Sequence, residues 1–324
     1  MNNPAVCVCI LTFNNYMDTI ECVQSLRKQN FENYSIIIVN NGSTDDSINH
    51  IKNRFPNLEI LDIPQNVGVP SGFNVGIQWA ILHQFEYVLL LNNDTVVAPN
   101  LLSRLVYHHQ NIKDCGMSMP KILFYNREHI NLNNHIDKDQ RKDVWSDGGY
   151  FRKFPPGIIQ KDNRKTVNFN KVRQIEYAPA CGLLITCNVF KKVGLFDPGY
   201  FFFFEDWDFS IRVRKAGYQI WCDPAAVLWH KVSVSTKKNH KLYWFVMGES
   251  MIRFFRRHFS LPSSFLQVTY RVLRDICIEN NTKYVKHYIN GIIKGLKSEL
   301  GDYPFPVNHE PNKILGKEEN AWNS

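Results

Sequence analysis

Long apolar runs are missing from this chain. No stretch approaches the ~18 consecutive apolar residues that a membrane-spanning helix needs. The start, M-N-N-P-A-V-C, has neither a basic leader nor the apolar core of a secretory signal. None of the eight cysteines forms a C-x-x-C pair. In a chain of this size they make no disulfide scaffold, and buried reduced thiols in an intracellular protein are the expectation. Internal repeats are absent too. So are the G-x-x-x-x-G-K-[ST] loop of P-loop nucleotidases and the G-x-G-x-x-G turn of dinucleotide binders.

What is there describes an ordinary globular protein. The 324 residues are 44% hydrophobic and 21% charged. At about 150 residues per domain this allows roughly two domains. The net charge of +8 favours anionic partners such as a nucleotide or a lipid surface. The basic residues are scattered among acids and include no recognised reader motif, which argues against nucleic acid.

The first half alternates strand and helix patterns. Residues 5–11, 34–39, 58–63 and 87–91 read as strands, and helical spacing follows each. Such alternation with short connections predicts a parallel sheet with helices on both faces. Residues 100–111 read as a helix and 115–119 as a further strand. Between 120 and 176 the regularity fades into a loop-and-hairpin insertion. Order returns at 177, where residues 220–230 read as two short extended pieces. Residues 236–303 read as amphipathic helices and 304–324 as an extended tail. The expected division is therefore a domain over 1–235, with halves at 1–119 and 177–235 around the insertion, then the helical region and the tail.

Polar clusters follow the strands. The apolar run 88–91 stops at Asn92, Asn93 and Asp94. At the carboxyl edge of an open α/β sheet these are oxygen ligands for a hard cation, or simply turn residues. The glycines of residues 66–76 either let backbone approach a ligand or make the turn. Glu205, Asp206 and Asp208 follow four phenylalanines. They either favour the positive end of a helix or supply a carboxylate whose burial makes it a useful base. His230 closes an apolar piece, as a structural histidine or a metal ligand.

Taken in order, I-L-T-F-N-N, V-N-N-G-S-T-D, N-V-G-V-P-S-G-F-N-V-G, L-L-L-N-N-D, G-L-F-D-P-G-Y-F-F-F-F-E-D-W-D-F-S-I-R and a final W-H resemble the family 2 inverting glycosyltransferases. The likeness spans about residues 6–230, weakens in the insertion, and leans toward the bacterial rhamnosyltransferase-like branch. It implies a GT-A fold, a Rossmann-like and mostly parallel sheet flanked by helices, here with a C-terminal helical extension. It also implies transfer of a sugar from a nucleotide-diphosphate donor to a hydroxyl, with inversion, by a metal-dependent hexosyltransferase.

Residue by residue, the resemblance puts Thr12 and Asn14 in the nucleotide pocket and Asn40 against the pyrimidine. Gly42, Asn66, Gly68, Asn74, Asn92 and Asn93 complete the nucleotide set. Asp94 takes the metal carboxylate, His230 completes the Mn2+ or Mg2+ site, and Asp206 is the base with Glu205 beside it. Asn40 and Asn92 stand where the family usually has aspartate. An amide can still pair with a base, while a neutral Asn92 lowers the charge around the metal. The implied donor is dTDP-rhamnose or another dTDP- or UDP-sugar. The implied acceptor is a glycan or lipid-linked glycan of a bacterial surface polysaccharide. A cytoplasmic protein follows, and Arg253, Arg256 and Arg257 beside Phe254, Phe255 and Phe259 either make peripheral contact at the inner face of the membrane or belong to a core-packing helix with a solvated basic side. The neutral positions also admit a degenerate relative that binds nucleotide or glycan without turnover.

Overall fold

A computed structural model of the chain describes residues 5–125, 144–152, 157–159, 171–232, 240–274 and 282–301. Most of the expected insertion, the eighth cysteine Cys277 and the 304–324 tail lie outside the described residues.

The strands are β1 (Val6–Thr12), β2 (Tyr34–Asn41), β3 (Glu59–Ile63), β4 (Tyr87–Asn92), β5 (Thr95–Val97), β6 (Cys115–Phe124), β7 (Val144–Ser146), β8 (Tyr150–Arg152), β9 (Gly157–Ile159), β10 (Arg173–Ile175), β11 (Leu183–Thr186) and β12 (Gln219–His230). The helices of the sheet region are α1 (Tyr16–Leu26), α2 (Ser47–Arg54), α3 (Val69–Leu82), α4 (Leu101–Asn111), α5 (Cys187–Val193) and α6 (Glu205–Lys215). Three more follow, α7 (His240–His258), α8 (Leu261–Leu273) and α9 (Val285–Lys297).

The main sheet runs β10-β12-β6-β11-β4-β1-β2-β3, with β5 added to β12 and β7 to β6. β3, β2, β1 and β4 are mutually parallel, as the alternation predicts. Every residue of β1 is buried, because helices cover both faces and apolar side chains are needed on each. The sheet is mixed beyond β4, where β11 runs antiparallel to both β4 and β6. β6 continues to Phe124, further than its composition suggests. The two pieces expected over 220–230 are one strand, β12, whose register against β6 shifts between Asp223 and Val227. Pro224 sits inside that shift, where a residue without an N–H is tolerated.

Seven cysteines are free and buried, as expected of reduced thiols. No helix among the described residues is long and apolar enough to cross a membrane.

The C-terminal helices close over the end of the sheet region and share a second core with it. Tyr200 and Phe204 pack there with Trp244, Met251, Phe254, Phe255 and Tyr288. This corrects the expected role of the basic face. Arg253 is 5% exposed and forks onto Asp197 through Nε and Nη2, both at 2.9 Å. Arg257 reaches the same carboxylate at 2.9 Å, and Arg256 donates to the Ser298 carbonyl at 2.9 Å. Phe254 and Phe255 are buried. These arginines bind α7 to its neighbours because Asp197 sits in a fully buried position that only paired cations make tolerable. They are not a membrane face.

Candidate active site

The loops after β1, β2, β3 and β4 meet at the carboxyl edge of the parallel strands. Asn14 and Asn15 both hold left-handed backbone, at φ 60° and 58°, which asparagine tolerates better than other non-glycine residues. That conformation turns the chain sharply from β1 into α1. The Asn14 N–H donates to Ser43 Oγ at 2.8 Å, and its side-chain oxygen accepts the Thr44 N–H at 2.8 Å. Asn41 Nδ2 donates to Asn66 Oδ1 and to the Gly68 carbonyl, both at 3.1 Å. Asn93 Nδ2 donates to Thr12 Oγ1 at 3.1 Å and to Thr19 Oγ1 at 3.0 Å. Neutral amides and hydroxyls therefore tie the loops to one another.

This network assigns several residues to holding the loops. Thr12 is fully buried beneath them. Asn40 is 8% exposed; its Nδ2 donates to Asp62 Oδ1 at 2.9 Å while its oxygen accepts the Ser43 N–H at 3.0 Å. Asn74 is not part of that network. Both ends of its amide clamp the backbone of Phe196, Nδ2 to the carbonyl at 2.9 Å and Oδ1 from the N–H at 3.0 Å. Gly42 and Gly68 have φ 72° and 85°, and a Cβ would lie 2.3 Å from the Gln65 carbonyl carbon and 2.4 Å from the Phe201 oxygen respectively. Each glycine thus permits both a left-handed turn and a close backbone approach. Asn92 is half-buried at the end of β4, and its carbonyl accepts the Thr95 hydroxyl at 2.7 Å.

Asp94 and His230 come together through sheet pairing. β5 runs antiparallel to the end of β12, with Thr95 opposite His230. The Lys231 N–H donates to the Asp94 carbonyl at 3.0 Å. His230 Nε2 then lies 3.2 Å from Asp94 Oδ1, with Asp94 5% exposed and His230 6% exposed. Asp94 Oδ2 and His230 Nδ1 are buried without a hydrogen-bond partner. Trp145 packs edge-on against the imidazole, with centroids 4.7 Å apart. Two orphaned donor atoms on adjacent buried side chains suit a divalent cation whose remaining ligands come from elsewhere. Among the described residues, no group of three or more His, Cys, Asp or Glu side chains forms a complete cage.

The second acidic cluster opens α6. Phe203 and Phe204 hold left-handed backbone at φ 70° and 66°, costly for aromatic residues. The packing of Phe204 among Trp207 and Phe254 over-determines that geometry. Asp206 accepts the Trp207 N–H on Oδ1 and the Tyr177 hydroxyl on Oδ2, each at 2.8 Å. Burial pushes its pKa up to about 6, and the hydrogen bond from Tyr177 works the other way. Glu205 is 8% exposed, with Oε2 buried and without a partner. Burial first, and the Asp206 charge second, push it well above the ordinary carboxylate range. The two neighbours therefore differ: burial and the adjacent charge favour the protonated form of Glu205, while Asp206, near 6, is ionised at neutral pH and can accept a proton. Asp208, fully buried, pairs with Arg212 at 2.9 Å and His258 at 2.8 Å and belongs to the scaffold.

Tyr177 is the site residue that sequence reading misses. It lies 29 residues before Asp206, and no spacing rule links the two. Its ring packs edge-on with Phe151 of β8 and with Trp207, so the hairpin region supplies one wall of the acidic site.

Residues 7–193, more than half of the chain, match the glycosyl transferase family 2 profile. An uncharacterised glycosyltransferase of Haemophilus influenzae is 26% identical over 190 residues, covering 55% of this chain and 71% of that one. The low-salt glycan biosynthesis hexosyltransferase Agl10 of Haloferax volcanii is 26% identical over 165 residues, covering 50% of this chain and 48% of its own. The crystal structure of GalNAc-T7 with UDP, GalNAc and Mn2+ superposes with a TM-score of 0.55 at 18% identity. That overlap covers 78% of this chain and 50% of GalNAc-T7, and it is a likeness of fold.

Proposed function

The chain belongs to glycosyl transferase family 2, and from that premise we propose that it transfers a hexose from a nucleotide-diphosphate donor to a glycan hydroxyl in one inverting displacement. The observation that carries this reading is the Asp206 carboxylate, anchored by Tyr177 and the Trp207 N–H and raised by burial to about 6. A base of that strength is ionised at neutral pH yet basic enough to draw a proton from an attacking hydroxyl.

The loops at 12–14, 40–44, 66–68 and 92–93 cradle the nucleotide. The base meets the Asn40–Asp62 pair, which offers an amide and a carboxylate together. Asp94 and His230 hold a divalent cation, Mn2+ or Mg2+. When bound, that ion stabilises negative charge on the departing diphosphate. On the opposite side Asp206 takes the acceptor proton, with Glu205 beside it. The donor is a dTDP- or UDP-sugar, with dTDP-rhamnose first to be tried, and the acceptor is a glycan or a lipid-linked glycan.

A panel of nucleotide sugars with and without Mn2+ or Mg2+ tests this, read by thermal shift and by nucleotide release. The expected result is a metal-dependent stabilisation by one donor class and release of its nucleotide on adding acceptor. A stabilising donor never turned over with any acceptor would return the protein to a binding-only role. No shift with any donor would remove the assignment.

A further inference from the structure

We propose that the outer face of α8 docks on an anionic lipid bilayer and so sets the Asp206 side of the site at the membrane surface. A surface helix ordinarily turns its apolar stripe to the core and its polar side to water. α8 turns apolar residues outward as well. Phe265 is 76% exposed, Leu266 55%, Tyr270 39% and Leu273 56%. With Pro262 and Thr269, these side chains fall within an arc of roughly 140° at about 100° per residue. Thr269 is the one polar side chain on that arc. The opposite arc carries Ser264, Gln267, Val268, Arg271 and Val272; Ser264 and Gln267 are each 3% exposed. Both faces are thus accounted for, and the outward one is apolar without serving the core.

Two features point to a lipid surface. The first is charge. The exposed charges of the described residues 240–301 are Lys241, Lys283, Lys286 and Lys297 against Glu299 alone. An apolar stripe on a positively charged region suits an anionic lipid interface, where the stripe enters the acyl boundary and lysines meet headgroups. The second is position. The Arg271 guanidinium lies over the rings of Phe204 and Trp207, 5.5 and 5.2 Å from their centroids. Those residues flank Glu205 and Asp206, so the inner face of α8 touches the wall of the acidic site while its outer face meets solvent. Docking there would bring a lipid-borne acceptor to the base. That purpose rests on the transferase reading, whereas the binding itself does not.

Flotation of the full chain with phosphatidylcholine vesicles, with and without phosphatidylglycerol, is the test, alongside the Phe265→Glu/Leu273→Glu double variant. Tyr107→Glu on α4, at a residue 59% exposed, is the matched control. The expected result is flotation with anionic vesicles only, reduced about tenfold or more in the double variant and unchanged in the control. Thermal melting and turnover of a soluble acceptor should be the same in all three proteins. Equal flotation of the double variant would overturn the proposal. So would binding indifferent to lipid charge, no flotation at all, or self-association in solution that the double variant abolishes. If the chain floats as expected yet turns over no nucleotide sugar, docking stands and the transferase reading falls.

Discussion

The two sides of the site are built from different chemistry. Around the expected nucleotide the loops are held mainly by asparagine, serine and threonine, in neutral hydrogen bonds such as Asn14 to Ser43 and Asn41 to Asn66, with the Asp45 and Asp62 carboxylates, which accept from the Asn15 N–H and the Asn40 amide, as exceptions. Around Asp206 the structure uses buried charge and aromatic rings: Asp197 with Arg253 and Arg257, Asp208 with Arg212 and His258, and the ring cluster of Phe151, Tyr177 and Trp207. The contrast has a physical logic. Largely neutral loops would leave the charge balance to the diphosphate and cation proposed to bind there, and each bond lost costs little. A base needs a dry surrounding to raise its pKa, and dryness forces every other charge nearby into a close pair.

Breaking the charged side should have the larger effects. Asp206→Asn removes the proton acceptor, and turnover should fall by about 10²–10⁴-fold with nucleotide affinity retained; unchanged turnover would exclude Asp206 as base. Asp197→Ala strands two buried guanidinium groups and should destabilise the fold by about 3–5 kcal/mol in urea unfolding. A loss below about 1 kcal/mol would mean the pair is solvated. Tyr177→Phe removes a donor that favours the ionised carboxylate, so the Asp206 pKa should rise further above about 6. The active form is the ionised one and lies above that pKa. The acidic limb of the pH–rate profile should therefore move to higher pH, with activity recovered in alkali. A uniform loss at every pH would assign Tyr177 a packing role only. On the neutral side, Asn41→Ala cuts its bonds to Asn66, Gly68 and the Val67 N–H and should cost about 0.5–1.5 kcal/mol per hydrogen bond. A larger loss would show that the neutral side tolerates a missing partner no better than the charged side does.

The same contrast decided what the sequence could disclose. The parallel strands were legible because each is buried on both faces and ends in a polar cluster, a pattern that survives without knowledge of its partners. Asp94 and His230 are each visible as residue types, but their meeting depends on β5 pairing with β12, a contact spanning more than 130 residues. Nothing in the sequence places β11 between β4 and β6, since three apolar residues and a threonine fit many positions in a sheet. The basic face of α7 misled for a related reason. Helical periodicity shows where Arg253 and Arg257 point, but it cannot show that a buried carboxylate at Asp197 is waiting there. Tyr177 carries no signal because a tyrosine beside a proline and two alanines reads as ordinary packing.

The approach of Gly68 to Phe201 bears on how such a chain could be rebuilt. The Val69 N–H donates to the Phe201 carbonyl at 2.7 Å, so the loop proposed to hold the nucleotide and the segment leading into Glu205 share one peptide contact. A chimera that borrows residues before 120 from one relative and residues after 177 from another inherits two surfaces shaped for different partners. Its first point of failure is that seam, where any side chain at position 68 would meet the Phe201 backbone. Modularity in this fold stops there, and recombination of donor and acceptor specificities must carry the loop at 66–69 and the phenylalanine segment together.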